Sequence, residues 1–173
     1  MGRARERTNE PDTGCHRTPP LCRPHAAGRP RRVSEAESEE RPSPERWTRK
    51  EVVGHLIDSA SNNHQRFVRA QVASGQDFPG YEQGQWVLLQ DYQGARWADL
   101  IDLWRAYNTH ILHVIGCMSE EGKRATCRVG GREAITLAGL FVDYVDHLEH
   151  HLRRMLGRWE AQEEEGETPP CRK

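Results

Sequence analysis

The strongest hydrophobic pattern of the chain lies between residues 136 and 156. Apolar side chains recur there every three or four residues, a period that predicts one amphipathic α-helix. The predicted apolar stripe contains Leu137, Leu140, Phe141, Tyr144, Leu148, Leu152 and Met155. His147 and His151 are four residues apart, so their side chains stack one turn over the other along this stripe. His150 points toward the polar face of the same helix.

A second amphipathic helix is predicted to begin after Thr48, because Glu51 completes a capping box three residues later. It runs to about Ser74 and is ended by Gly75. Its predicted core stripe contains Val53, Leu56, Ile57, Ala60, Phe67 and Val68.

His55 lies off that stripe, about 100° around the helix from its neighbour Leu56. A polar sector surrounds it, formed by Asp58, Ser59, Asn62 and Arg66. Two interpretations are open: the sector lines a cavity beside a bound ion, or it is the solvated face of the helix. His64 lies on the opposite side of the helix and so cannot bind the same ion as His55.

In the middle of the chain, the sequence pattern predicts a third helix with an irregular connecting segment on each side of it. The aromatic-rich residues 75–95, with a short helical piece near Gln85–Gln90, are predicted to shape a binding mouth or to plug one end of a bundle. Residues 96–118 have a wide apolar stripe typical of a helix, with His110 and His113 off the stripe and on the surface. Residues 119–133 are turn-rich and favour a short hairpin through 125–129.

Composition divides the chain into three parts. Hydrophobic residues make up 35% of its 173 residues, and residues 1–46 contain very few large apolar side chains. Because such a segment buries too little apolar surface to offset its ordering entropy, residues 1–46 are predicted to be disordered. Residues 47–159 are predicted to form the helical bundle, and residues 160–173 a disordered acidic tail. The basic run at residues 29–32 could be a tail that binds nucleic acid, but the acidic residues after it favour a solvated linker. A third interpretation is that the N-terminus of the sequence is misassigned.

The charge and the apolar pattern exclude several classes of protein. The net charge is −1 and the isoelectric point about 6.8, so neither nucleic acid nor an anionic membrane is an expected partner. No apolar run has the length of a transmembrane helix and the N-terminus lacks a secretory signal, so a cytoplasmic protein is expected. The five cysteines are odd in number and include no CxxC pair, which favours free thiols in a reducing compartment.

Two imidazoles one turn apart on an apolar face supply two of the three ligands of a facial metal site. Unligated, buried neutral imidazoles need partners for their ring nitrogens, and a shared divalent ion would satisfy them. His55 is the best candidate for the third ligand. Three histidine ligands leave a fourth position open, as in a catalytic site. The alternative is that these histidines are ordinary hydrogen-bonded core residues.

The run from Trp47 to Asp58, with the sequence Trp-Thr-x-x-Glu-Val-Val-Gly-His-Leu-Ile-Asp, is followed far downstream by the run from His147 to His151. Together these motifs resemble the DinB/YfiT-like superfamily, over about residues 44–157. The resemblance implies an all-α fold, a four-helix bundle with one histidine on its second helix and an HxxxH pair on its last long helix. These positions correspond to His55, His147 and His151. The family's first helix should precede Trp47, where this sequence has no helical apolar period, so that helix is missing or replaced by the disordered segment.

The resemblance also implies a function, a cofactor and partners. Relatives bind zinc, nickel or a similar divalent ion, and characterised members include thiol S-transferases that use bacillithiol or a related thiol, and mycothiol-dependent isomerases. We therefore expect a metal-dependent transferase acting on small electrophiles, with a low-molecular-weight thiol as partner and a homodimer as a further expectation. Asp58, Asn62 and Arg66 are the candidates for orienting the substrate. The alternatives are a hydrolase that uses a metal-bound water, and a non-catalytic, stress-linked helical bundle.

Overall fold

The computed structural model of this protein describes the backbone of residues 33–160 and the side chains of residues 33–155. Its helices, in chain order, are α1 Glu35–Glu39, α2 Arg49–Val72, α3 Gln83–Leu89, α4 Trp97–Gly116, α5 Glu120–Arg124 and α6 Leu137–Glu160. Its strands are β1 Gln76–Phe78, β2 Thr126–Val129 and β3 Ile135–Thr136. The long helices α2, α4 and α6 form the bundle, with α2 packed against both of the others. The prediction of an all-α helical bundle is confirmed.

Helix α2 begins where the sequence predicts. The side chain of Thr48 accepts a hydrogen bond from the backbone N–H of Glu51, and the carboxylate of Glu51 accepts one from the backbone N–H of Thr48. This reciprocal capping box satisfies two of the backbone donors that every helix leaves unpaired at its N-terminus. The helix ends at Val72, and Gly75 then turns the chain with a positive φ of 84°. Alanine or a larger residue would be strained there.

Two apolar clusters fill the bundle. One surrounds Phe67 and joins α2 to α4 and α6, and the other surrounds Val53 and Tyr92 near the start of α2. The clusters bury most of the predicted helix stripes, but Val68 is 41% exposed and Leu112 is 51% exposed. At these two positions the predicted stripe is wider than the face that the helix buries.

A polar link between α4 and α6 lies beside the larger cluster. Asn108 falls within the apolar stripe of α4, and its side-chain carbonyl accepts a 2.6 Å hydrogen bond from the hydroxyl of Tyr144 on α6. Its amide donates to the backbone carbonyl of Trp104. Both ends of this half-buried amide are therefore satisfied, as its position between two helices requires.

A small sheet connects the ends of the helices. β1 pairs in parallel with β2, with Gln76 opposite Cys127, and β2 pairs antiparallel with β3, with Thr126 opposite Thr136. The hairpin was predicted through residues 125–129, and β2 lies there, but its antiparallel partner β3 lies beyond that segment. The parallel partner β1 was not predicted, because three residues carry too short a pattern to be recognised as a strand.

The structure differs from the predicted disorder in residues 33–46. Helix α1 lies in this segment, and both Glu35 and Glu39 form ion pairs with Lys50, at 2.6 and 2.8 Å. Lys50 is only 2% exposed, and the carboxylate of Glu35 also accepts hydrogen bonds from the backbone N–H of Trp97 at the start of α4. Polar contacts to the bundle thus hold a segment that has very few large apolar side chains. Residues 1–32 and 161–173, the rest of the two predicted disordered segments, lie outside the described residues.

None of the described helices combines the length and the apolar character that crossing a membrane requires.

Candidate metal centre

Helices α2 and α6 bring three histidines together. His55 lies in the first half of α2 and is fully buried, while His147 and His151 lie one turn apart on α6 and are half-buried. Each ring offers a nitrogen, and the three nitrogens lie within 4.8 Å of one another. The structure therefore places the three predicted metal ligands around one point.

The spacing of the nitrogens suits a divalent ion. Nε2 of His55 lies 3.1 Å from Nε2 of His147. Two nitrogens bound tetrahedrally to zinc at about 2.0–2.1 Å would be separated by roughly 3.3 Å. Without an ion this pair can share only one hydrogen bond, and Nδ1 of His55 has no partner among the described residues. Coordination of one cation would therefore satisfy the three imidazoles better than hydrogen bonds between the rings.

Burial keeps these histidines in the form that binds metals. Burial, followed by the proximity of His151 and His147, lowers the pKa of His55 to about 3. Burial, and then the neighbouring His147, His150 and Arg154, lowers the pKa of His151 to about 4. The pKa of His147 is also lowered, chiefly by burial and then by His150. All three imidazoles are therefore neutral at pH 7, with a lone pair available for an ion.

The surroundings of the triad are apolar on one side and polar on the other. The ring of Trp47 lies 5.2 Å from that of His55, between centroids. On the other side, Oγ of Ser59 lies 3.5 Å from Nδ1 of His147. A group in that position can orient the ring of His147 while the opposite nitrogen faces the other ligands.

A cavity of ≈ 860 Å³ opens beside the triad. His147 and Ser59 belong to its lining, together with Asn63, Arg66 and Tyr81. This volume lies within the range of pockets that hold small-molecule ligands. His147 is the member of the triad that lines this cavity, so the triad borders a space large enough for a substrate.

Comparison with known protein families identifies the superfamily of the chain. The sequence profile of the DinB superfamily matches residues 23–155, more than half of the chain. The chain belongs to the DinB superfamily.

One solved structure illustrates the likeness of fold. It is YfiT from Bacillus subtilis, described as a probable metal-dependent hydrolase with an unusual four-helix bundle topology. The match has a TM-score of 0.65 and 21% sequence identity, and it covers 70% of each chain. No curated protein matches this chain.

The three residues predicted to orient a substrate lie in different surroundings in this DinB-superfamily protein. Arg66 lines the cavity. Asp58 is buried and accepts hydrogen bonds from the hydroxyl of Tyr92, at 2.6 Å, and from the amide of Gln90, at 2.7 Å. Asn62 donates to the backbone carbonyl of Asp58. Neither Asp58 nor Asn62 belongs to the lining of the cavity. Asp58 instead binds the segment that follows α3, and the side chain of Asn62 bonds within α2.

Asp58 keeps one reactive feature. Burial raises its pKa, although the hydrogen bonds from Tyr92 and Gln90 act in the opposite direction. Its second carboxyl oxygen, Oδ2, is buried and has no hydrogen-bond partner within residues 33–155. This oxygen is the place where a proton would be held.

Sequence reasoning missed two residues of the DinB-superfamily site. Asn63 lies about 80° around α2 from His55, outside the polar sector that periodicity groups with His55. Its hydrogen bonds with Ser59 and Arg66 place it in the cavity wall. Tyr81 comes from the aromatic link that was predicted either to shape a binding mouth or to plug the bundle, and its ring lies in the cavity wall against Trp86. Only the packed structure could choose between those two roles.

Proposed function

We propose that this protein is a metal-dependent enzyme that acts on a small molecule. The observation that carries the proposal is the convergence of three neutral imidazoles, one fully buried and two half-buried, with nitrogens within 4.8 Å of one another. One of them, His147, lines a cavity. His55, His147 and His151 would hold a divalent ion, for which zinc and nickel are the first candidates.

When bound, the ion would supply Lewis acidity and lower the pKa of a thiol or a water at its open position. The protein's own residues do the rest. Trp47 shields His55 from solvent on one side, and Ser59 orients His147 on the other. The cavity holds the substrate, and its entrance beside β2 and β3 is lined by exposed charged side chains.

The reaction we propose is the transfer of a thiol sulfur to a small electrophile, as the resemblance to DinB-like thiol transferases suggests. The thiol loses its proton to solvent or to a base, and a sulfur lone pair forms a new carbon–sulfur bond. The bond from that carbon to the leaving group breaks, and the leaving group takes the bonding electron pair. The cavity has room for a low-molecular-weight thiol beside the electrophile.

Hydrolysis is the second candidate. It is favoured by the description of YfiT as a probable metal-dependent hydrolase, on a fold that this chain shares. The same three histidines would serve, and a water would replace the thiol as nucleophile.

The experiment measures bound metal and two activities in the purified protein. We expect about one zinc or nickel ion per chain in the wild type and in His150→Ala, whose side chain is exposed on the same helix, and almost none in His147→Ala. Equal metal content in His147→Ala and the wild type would refute the site. Consumption of cysteine with 1-chloro-2,4-dinitrobenzene, compared with cleavage of p-nitrophenyl acetate, separates transfer from hydrolysis.

A metal-free protein that folds normally and gains no stability from added zinc would instead support the non-catalytic helical bundle. The cytoplasmic location and the homodimer stay predictions.

A further inference from the structure

Arg66 is a buried cation at the cavity wall. It is 7% exposed, and its Nη1 donates a 3.1 Å hydrogen bond to Oδ1 of Asn63. A guanidinium carries five N–H donors and stays charged in proteins. Within residues 33–155, no carboxylate forms an ion pair with Arg66. Most of its donors, and its charge, are thus left without a protein partner in the part of the chain that the structure describes.

The ionisable groups that act electrostatically on Arg66, Tyr81 and Cys127, do not compensate its charge at pH 7. Burial, and then the nearby Asp58, raises the pKa of Tyr81 to about 12. Burial also raises the pKa of Cys127. Both side chains are therefore neutral at pH 7. Because an unpaired buried charge is costly, the wall of the cavity around Arg66 is suited to an anion.

The acidic residues of the cavity lie at its mouth. They are Glu82, Glu133 and Asp143, and all three are exposed, as is the basic Arg132 beside them. The charges at the mouth are thus of both signs and open to solvent, which screens them. Arg66 is the cavity's buried charge, and it is positive.

A chain of polar contacts links Arg66 to the metal centre. Arg66 donates to Asn63, the amide of Asn63 donates to the backbone carbonyl of Ser59 at 2.9 Å, and Oγ of Ser59 lies 3.5 Å from Nδ1 of His147. These residues occupy one face of α2. Asn63 therefore holds the guanidinium in place along the same wall that leads to the triad.

The two ends of this wall are separated by the length of a small substrate. Arg66 follows His55 by about three helical turns, roughly 16 Å along the axis of α2. The guanidinium is nearer to the triad than this, because it reaches back to Oδ1 of Asn63 at 3.1 Å, the amide nitrogen of Asn63 lies 3.4 Å from Oγ of Ser59, and that oxygen lies 3.5 Å from Nδ1 of His147. This series of contacts leaves roughly 10 Å between the guanidinium and the ring of His147.

We propose that Arg66 binds a carboxylate at the end of the substrate remote from the metal centre. The substrate is then an elongated small acid, with its reacting group at the triad and its carboxylate roughly 10 Å away, held by the planar donor fork of Arg66. This inference names the substrate class of the proposed function, and it rests on that function only for the end of the substrate that reacts at the triad.

The experiment compares an acid with its amide. The zinc-loaded protein is titrated calorimetrically with 8-mercaptooctanoate and with 8-mercaptooctanamide, which span the distance and differ in charge at one end. We expect the acid to bind at least about tenfold more tightly. Arg66→Gln should abolish this preference. Arg66→Lys should keep part of it, because the charge remains but the fork is lost.

Arg132→Gln is the matched control, since it removes the same charge from the mouth of the same cavity. It should keep the preference for the acid. Equal affinity of acid and amide for the wild type overturns the proposal, whether or not Arg66→Gln folds. A preference that persists in Arg66→Gln, or that Arg132→Gln abolishes, overturns the role of Arg66.

Octanoate and octanamide, which lack the thiol, separate this inference from the proposed function. We expect the metal-depleted protein to prefer octanoate as well, because Arg66 does not depend on the ion. If the protein binds no metal and still prefers the acid, the metal-dependent function fails and the anion site stands. If it binds metal and shows no preference in either pair, the anion site fails alone.

Discussion

Helix α2 brings histidine rings together on two of its sides. On one side His55 meets His147 and His151, with the centroids of His55 and His151 4.8 Å apart. On another side His64 meets His110 of α4, with ring centroids 4.9 Å apart, and Tyr107 lies beside them. By ring spacing alone the two clusters are equivalent.

The two clusters differ in burial and in the number of side chains that could bind one ion. His55 is fully buried, whereas His110 is exposed. Among the described residues, only the first cluster groups three side chains that could hold one ion. Burial and the proximity of His110 lower the pKa of His64 as well, so a lowered pKa does not distinguish the clusters. A third converging nitrogen, in a site shielded from water, separates a candidate metal centre from a pair of packed rings.

The largest expected effect is on metal affinity. His55→Ala should weaken zinc binding by more than about 100-fold, because it removes one of three ligands. His110→Ala removes a histidine from the second cluster and should leave the affinity unchanged. Competition with a chromophoric chelator measures both. Equal loss in the two variants would mean that the clusters do not differ as their geometry indicates.

Acid should destabilise the metal-free protein through the first cluster. The pKa of His55 is about 3 in the folded state and about 6.5 in the unfolded chain, so the unfolded state binds the proton first. Stability is therefore full above about pH 6.5 and falls as the pH drops toward 3. We expect His55 to contribute a loss of about 2 kcal/mol between pH 7 and pH 5.

Urea unfolding at the two pH values measures this loss. His55→Gln should reduce it by about that amount. His110→Gln should change it far less, because that ring is exposed and acts only through the pKa of His64. An unchanged pH dependence in His55→Gln would contradict the prediction.

A smaller effect is expected from the group that orients His147. Ser59→Ala removes the hydroxyl 3.5 Å from Nδ1 of His147 and should weaken zinc binding by about tenfold or less. Ser61→Ala is the matched control. Its hydroxyl donates to the backbone carbonyl of Asp58 and does not contact the triad. The same chelator competition would show whether the two serines differ, and equal affinities would argue against a role for Ser59.

The smallest effect belongs to the second cluster. Tyr107→Phe removes a hydroxyl 3.5 Å from Nδ1 of His64 and should change the free energy of unfolding by less than about 0.5 kcal/mol. Tyr144→Phe removes a 2.6 Å hydrogen bond to Asn108 and should cost about 1 kcal/mol. Denaturant unfolding of both variants measures the two losses. A larger loss in Tyr107→Phe than in Tyr144→Phe would contradict the prediction and show that the second cluster stabilises the fold more than its geometry indicates.

Much of the helical framework follows from local pattern. The period of apolar residues predicts α2, α4 and α6, and the capping box at Thr48 predicts where α2 begins. Two of the three candidate ligands also follow from the sequence, since His147 and His151, one turn apart on a helix, share a face wherever that helix packs. These features depend on residues a few positions apart, so the chain carries them without its tertiary context.

The packing of distant segments decided the remaining features. The polar sector of α2 was ambiguous from sequence, and the structure divides it, with Asp58 against Tyr92 and Arg66 at the cavity. Residues 33–46 were predicted to be disordered because they have very few large apolar side chains. In the structure Lys50 binds the carboxylates of Glu35 and Glu39, and the start of α4 binds that of Glu35. A helix period tells which residues share a face but not what that face meets. The residues that contact a helix face come from segments far away in the chain, and only the tertiary structure brings them together.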